Sequence, residues 1–293
     1  MLTKRMITLD NGESIAYQER GTGSKVVIML HGNMCSSEHC SSLLEKIDPE
    51  LYTFYALDLR GFGDSTYFSP INSVEDFSND VYKFINHMDL DKVSLIGWSA
   101  GGPICLQFCI DYPKFVKEII LLSSVGLKGA PLQRKDNEGK VSGGYYKTKE
   151  EMVRGPEVAV PLKAIQNKDF NTLSDMWNRG IYTNKKPSES KNEKLIRETL
   201  KQQNLGDVYW ALANFNLSNE YNGYREGNGL IEQVKVPVLC FWGEQDRIIN
   251  FNDVNETVKS LPNASLRVLK ECGHFPIIDN LDAIIRGIGE TFT

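Results

Sequence analysis

Three residues of this chain have types that combine into one chemistry: a serine, an aspartate and a histidine, in the order Ser99, Asp246, His274. A serine hydroxyl is a poor nucleophile near neutral pH and needs a base within hydrogen-bond reach. An imidazole in that role needs in turn a carboxylate to fix its tautomer and stabilise its cation. Such a set attacks an acyl carbon. Ser99 carries the clearest local signal, because it lies in Gly97-Trp98-Ser99-Ala100-Gly101, with a glycine two residues away on either side.

The element that must position Ser99 is a tight turn between a strand and a helix. Val93-Ser94-Leu95-Ile96 has the length and apolar content of a buried strand, and Gly101 to Cys109 reads as a helix with Pro103 in its first turn, where a missing N–H costs nothing. A strand that reverses into a helix within about two residues strains the residue at the turn and demands small neighbours, which Gly97 and Gly101 supply. The hydroxyl is then lifted clear of the sheet. The first N–H groups of the helix face any negative charge that develops beside it. This is the pattern of a nucleophile elbow.

The other elements read as alternating strands and helices. Ile7-Thr8-Leu9 and Ser14-Ile15-Ala16-Tyr17 across Asp10-Asn11-Gly12 form an antiparallel hairpin. Val26 to Leu30 is a strand buried on both faces and ends in His31-Gly32-Asn33-Met34, where a loop with free backbone N–H groups begins. A helix over about 38–47 leads to the strand Tyr52 to Leu57 and a glycine-rich loop, Asp58 to Ser65, expected to be held by a network of Asp58 and Arg60. Ser73 to Met88 is an amphipathic helix with Val74, Phe77, Val81, Phe84 and Ile85 on one stripe, and Val116 to Leu122 is a further buried strand. Alternation at these lengths implies right-handed βαβ crossovers and a mostly parallel, doubly wound α/β sheet.

From 127 to 233 the alternation stops. This stretch is rich in charge and broken by Gly129, Pro131, Gly139 and Gly143-Gly144, with helices expected over Lys149–Val153, Glu157–Gln166, Phe170–Arg179, Ser190–Asn204 and Asp207–Leu217 and no strand among them. It holds many aromatics, among them Tyr145, Tyr146, Trp177, Tyr182, Tyr209, Trp210 and Phe215, which serve either as its own core or as the wall of a pocket. The sheet resumes at Val236 to Trp242, followed by Gly243-Glu244-Gln245-Asp246. A helix (252–260), a last strand (Ser265–Leu269), the loop Gly273-His274-Phe275-Pro276 and a terminal helix from Leu281 close the chain. Residues 1–126 and 234–293 thus form a core domain, and 127–233 a helical cap inserted before the last two strands. Ser99, Asp246 and the loop of His274 all fall at the C-terminal edge of the parallel strands, where open α/β sheets bind ligands.

Composition narrows the class. The 293 residues, 41% hydrophobic, suffice for one large core. The 33 basic and 38 acidic residues leave a net charge of −5, with no basic face for nucleic acid or anionic lipid, so a small-molecule partner is expected. Met1 to Met6 lead into a strand without an apolar signal core, and no run approaches the ~20 residues of a membrane span; the expectation is a soluble, cytoplasmic protein. Of the six cysteines, Cys105, Cys109 and Cys240 lie in apolar patterns where a free thiol packs, as in a reducing compartment. Cys35, His39 and Cys40 beside His31 match no zinc spacing, so neither a metal nor a cofactor is expected.

The elbow, the His31-Gly32 loop and the chain order serine, aspartate, histidine together resemble the α/β-hydrolase fold superfamily, over nearly the whole chain. The resemblance implies that Ser99 is the nucleophile, His274 the general base and then acid, and Asp246 the acid that orients it. Glu244 is a nearby rival, whereas the position after the preceding strand reads Ser123-Ser124-Val125 and carries no carboxylate. It also implies an oxyanion hole from the N–H groups of Ala100 and Asn33, and the 127–233 insertion in the family's cap position. Candidate substrate contacts are Met34, Trp98, Tyr145, Trp177 and Trp210. A serine at position 99 excludes the branches with an aspartate nucleophile, the dehalogenases and epoxide hydrolases. The expected reaction is hydrolysis of a small carboxylic ester or lactone through an acyl-serine. C–C bond hydrolysis, proline iminopeptidase-like amide hydrolysis, or a ligand receptor with little turnover remain as alternatives on the same parts.

Overall fold

Successive residues of a strand face opposite ways, and in the central strands this protein sends them into two different cores. The structure, a computed structural model, describes residues 2–136 and 140–292; Met1 and Gly139, mentioned above, lie outside them. The strands are β1 (Lys4–Thr8), β2 (Ser14–Arg20), β3 (Lys25–Leu30), β4 (Tyr52–Leu57), β5 (Val93–Trp98), β6 (Val116–Leu122), β7 (Gln133–Lys135), β8 (Val141–Tyr145), β9 (Val238–Gly243) and β10 (Ala264–Leu269). Eight of them form one sheet in the order β1-β2-β4-β3-β5-β6-β9-β10, antiparallel where β2 meets β1 and β4 and parallel from β4 onward.

The helices are α1 (Ser41–Lys46), α2 (Val74–His87), α3 (Gly101–Asp111), α4 (Lys149–Arg154), α5 (Pro156–Gln166), α6 (Phe170–Gly180), α7 (Glu189–Thr199), α8 (Leu205–Ala213), α9 (Phe251–Ser260), α10 (Pro276–Asp279) and α11 (Leu281–Thr291). Ile28 and Leu30 of β3, Leu95 of β5 and Leu121 of β6 pack with Val81 of α2 and Phe108 of α3 on one face. Their neighbours Met29, Ile96 and Ile120 pack with Leu43 of α1 and Ile288 of α11 on the other. Burial on both faces is why these strands read as unbroken apolar runs. Among the described residues no helix is long and apolar enough to cross a membrane.

Between β6 and β9 lie the five helices α4 to α8, and three local expectations fail there. Gln133–Lys135 and Val141–Tyr145 pair as an antiparallel hairpin, although no strand was expected; its residues are mostly exposed, so no apolar alternation marks them. Helix α7 ends at Thr199 and not near Asn204, and α8 ends at Ala213 and not Leu217. In the core, the segment 37–40 is a 3-10 turn ahead of the short α1. The six cysteines are free and buried. Helix α8 serves three cores at once: Val208, Ala211 and Leu212 join the sheet's first face, Leu205 the second, and Tyr209 and Trp210 pack towards Tyr146, Met152 and Val158 within the insertion.

Candidate active site

Strand β5 ends at Trp98, and Ser99 takes φ 52°, the left-handed region that costs a non-glycine residue about 1–2 kcal/mol. Backbone bonds hold it there: its N–H donates to the Leu122 carbonyl at 3.0 Å, and its own carbonyl accepts from Gly102 N–H and Val125 N–H, each at 3.1 Å. The small neighbours are required. A Cβ on Gly97 would stand 2.6 Å from the Gly101 carbonyl oxygen, and one on Gly101 would overlap the Leu30 carbonyl oxygen. Ser99 itself is half-buried, and its hydroxyl makes no protein hydrogen bond among the described residues.

The sheet brings Asp246, which follows β9, against His274, which follows β10. The imidazole Nδ1 lies 3.0 and 3.1 Å from the two oxygens of Asp246, whose side chain is fully covered. A carboxylate only accepts, so Nδ1 carries the proton; Nε2, without a protein partner among the described residues, presents a lone pair. Burial works against ionisation of Asp246. The hydrogen bond and charge of His274, together with the N–H groups of Ile249 (2.9 Å) and Ile248 (2.8 Å), outweigh it and hold the carboxyl below its ordinary value. The rival Glu244 is exposed and accepts instead from Glu271 N–H at 2.9 Å.

The loop that carries the imidazole is pinned by the residue before the serine. Trp98 Nε1–H donates to the His274 carbonyl at 2.8 Å, and its ring stacks on Phe275 with centroids 4.4 Å apart. Asp279, which no motif in the sequence marks, accepts from Gly273 N–H at 2.7 Å and steadies the same loop.

On the other side of Ser99 stands the loop after β3. A Cβ on Gly32 would lie 3.0 Å from Ser99 Cβ, so a side chain there would press on the serine. His31 orients the following peptide. Its Nε2 accepts from Leu59 N–H at 3.1 Å, which leaves Nδ1 as the protonated nitrogen and donor to the Gly32 carbonyl at 2.8 Å. With no cis peptide bond among the described residues, the Asn33 N–H points away from that carbonyl. Neither Asn33 N–H nor Ala100 N–H meets a protein acceptor among the described residues. Two unpaired donors at a helix start and a neighbouring loop can stabilise an oxyanion.

Burial holds the His31 imidazole down to about 4, against the opposing pull of its bond to Gly32 and the charge of Asp58. An unfolded histidine takes up a proton as the pH falls through about 6.5, whereas the folded one stays neutral until about 4. The unfolded chain therefore binds more protons in that window, and stability falls on acidification by up to about 3 kcal/mol from this group. We expect the urea midpoint to drop steadily between pH 7 and pH 4.5; a midpoint flat across that range contradicts the assignment.

The remaining sequence candidates separate clearly. Trp98 is 1% and Trp177 3% exposed, both packed into the second core, so neither ring offers a surface to a substrate. Trp210 packs at 5.8 Å on Tyr224 within the insertion. Tyr145 borders a cleft of about 550 Å³, together with Val125 beside the elbow, Tyr221, and Ile248 beside Asp246. Met34, at φ 61°, lies in the loop after β3, partly buried against the second core. A second serine turn, Ser123 at φ 40°, follows β6, so with Met34 and Ser99 three neighbouring strand ends carry left-handed non-glycine residues.

The Asp58 and Arg60 network proves to be two networks. Arg60 makes a two-pronged pair with Asp80 at 2.7 and 2.8 Å, and Asp58 takes Ser37 N–H and the Lys4 ammonium. Cys35, His39 and Cys40 form no metal cluster among the described residues. The trio that could hold a cation, Asp58, Asp64 and Glu198, already encloses Lys4, which bonds all three at 2.8 to 2.9 Å.

Comparison with known proteins bears on the family and the fold. A family described as the alpha/beta hydrolase fold matches residues 25–281. The chain is 26% identical over 288 residues to Lipase 1 of Psychrobacter immobilis, covering 95% of this chain and 80% of the lipase. It is 22% identical over 300 residues to a 2-hydroxy-6-oxononadienedioate/2-hydroxy-6-oxononatrienedioate hydrolase of Pseudomonas putida, covering 99% of this chain and 97% of that enzyme. Its fold is similar to that of an esterase from Exiguobacterium antarcticum, with a TM-score of 0.75, 20% identity and 98% of each chain covered.

Proposed function

The chain belongs to the alpha/beta hydrolase fold family, and from that premise we propose that it is a serine hydrolase of small carboxylic esters or lactones, with the 127–233 segment as its cap. The observation that carries this reading is the imidazole of His274, bonded through Nδ1 to Asp246 with Nε2 left open, at the sheet edge where Ser99 stands on its strained turn. Ser99 Oγ attacks the acyl carbon as His274 Nε2 takes its proton. The carbonyl oxygen becomes an oxyanion that accepts from the N–H groups of Ala100 and Asn33. Collapse expels the alcohol, which receives the proton from His274. Water then attacks the acyl-serine by the same route, releasing the carboxylic acid.

The relatives favour esters: a lipase at 26% identity stands beside a dioate hydrolase at 22%, and the similar fold belongs to an esterase. The C–C hydrolase reading, supported by the Pseudomonas putida relative, is tested in the same assay. We expect a burst and turnover with p-nitrophenyl acetate and butyrate, and a kcat/KM for a hydroxy-oxo dioate at least 100-fold lower. No burst and no turnover across neutral esters and lactones would sink the ester reading, and faster cleavage of the dioate would replace it.

A further inference from the structure

The turn after α7 sends its polar side chains onto the two residues next to the elbow that carry the second oxyanion donor. Thr199 Oγ1 donates to the Met34 carbonyl at 2.6 Å, and Gln202 Nε2 donates to Asn33 Oδ1 at 2.9 Å. Asn33 Oδ1 also accepts from Met34 N–H at 3.0 Å, and Ser36 Oγ donates to Glu198 at 2.9 Å. Glu198, Thr199 and Gln202 are buried. The turn is fixed in its own right: Gln202 Nε2 also bonds Asn204 Oδ1 at 3.0 Å, Asn204 Nδ2 donates to the Arg60 carbonyl at 2.6 Å, and Gln203 N–H donates to the Gly61 carbonyl at 2.8 Å.

We infer that Thr199 and Gln202 are positioning residues for the oxyanion hole, a role supplied to the core by the cap. The inference rests on the ester-hydrolase reading and deepens it. Asn33 is gripped on three sides: the peptide before it by His31 through the Gly32 carbonyl, its side chain by Gln202, and the peptide after Met34 by Thr199. Met34 stands in the left-handed region, which a methionine keeps only where its surroundings dictate it. Releasing a grip lets this loop relax toward ordinary backbone angles and swings the Asn33 N–H off the position that an oxyanion occupies. Misplacement of a donor by a fraction of an ångström weakens an interaction realised mainly in the transition state, so the loss appears in kcat and not in KM.

The test compares Thr199→Val, which keeps the branched shape and loses the donor, with Thr199→Ser, which restores it, and with Gln202→Met. Each is assayed for p-nitrophenyl butyrate hydrolysis and for the rate at which p-nitrophenyl methylphosphonate releases one equivalent of p-nitrophenol from Ser99, a reaction that also places a phosphoryl oxygen in the hole. We expect Thr199→Val and Gln202→Met to lower kcat and the phosphonylation rate each about 10- to 100-fold, below the loss of about 10²–10³ for deleting a donor outright. KM should stay within about threefold, thermal unfolding should stay cooperative, and Thr199→Ser should recover most of the rate. Unchanged kcat and phosphonylation in both variants overturn the inference, as does a loss confined to KM. If Thr199→Val fails to fold, Gln202→Met decides. If the parent is phosphonylated without hydrolysing esters, the ester reading fails alone and the phosphonylation rates still judge the positioning role. A parent that does neither overturns both.

Discussion

Ser99→Ala lowers kcat for the best ester by about 10⁶-fold, to the residual rate left by binding and the oxyanion donors alone, and abolishes the burst. The size follows from the division of roles, since Ser99 is the residue assigned to carry the acyl intermediate. The fold survives, because the bonds that hold position 99 are to its own N–H and carbonyl and not to its hydroxyl. Urea unfolding of the variant should match the parent within about 0.5 kcal/mol. Turnover by the folded variant at more than about a thousandth of the parent rate assigns the nucleophile elsewhere.

Asp246→Asn lowers kcat by about 10⁴-fold, the cost of holding the base in the wrong tautomer. The structure dictates which way an asparagine would sit. Oδ1 of residue 246 accepts from the N–H groups of Ile248 and Ile249, so the amide keeps its oxygen there and turns its NH₂ toward His274. The imidazole must then accept at Nδ1 and carry its proton on Nε2, presenting a donor to Ser99 in place of a lone pair. Glu244→Gln, which alters only a bond to Glu271 N–H, is the control and should change kcat less than about threefold. Equal losses in the two variants would falsify the assignment of the orienting acid. The carboxyl of Asp246 lies below its ordinary value, so the stability it contributes is present above the unfolded carboxyl range near 4 and is lost only as the pH falls below it.

What could be read from sequence follows from how local each cause is. Runs such as Val27 to Leu30 and Ile119 to Leu122 announce strands because both faces are buried, and that requirement is written residue by residue. The elbow was legible for the same reason: the turn's steric demand falls on Gly97 and Gly101 within five residues. The hairpin of β7 and β8 was not, because its residues are mostly exposed and Gly143 and Gly144 carry no pattern beyond a break. An aromatic side chain does not declare which surface it meets, so Trp98 and Trp177 looked like substrate contacts and lie in packed cores. No local signal marks Gln202 and Thr199, whose partners are 169 and 165 residues away. The polar run Gln202-Gln203-Asn204 lies beyond the helix end at Thr199, and its composition alone does not separate a helix's last turn from the loop after it.

The left-handed residues at positions 34, 99 and 123 set heat resistance against turnover at one edge of the sheet. Glycine would relieve about 1 kcal/mol at each. A library screened only for survival of heating should therefore accumulate glycine after β3, β5 and β6, and one screened for ester turnover should retain serine at 99 and a side chain at 34. Strain at these three turns thus fixes where selection for durability begins to erode the enzyme.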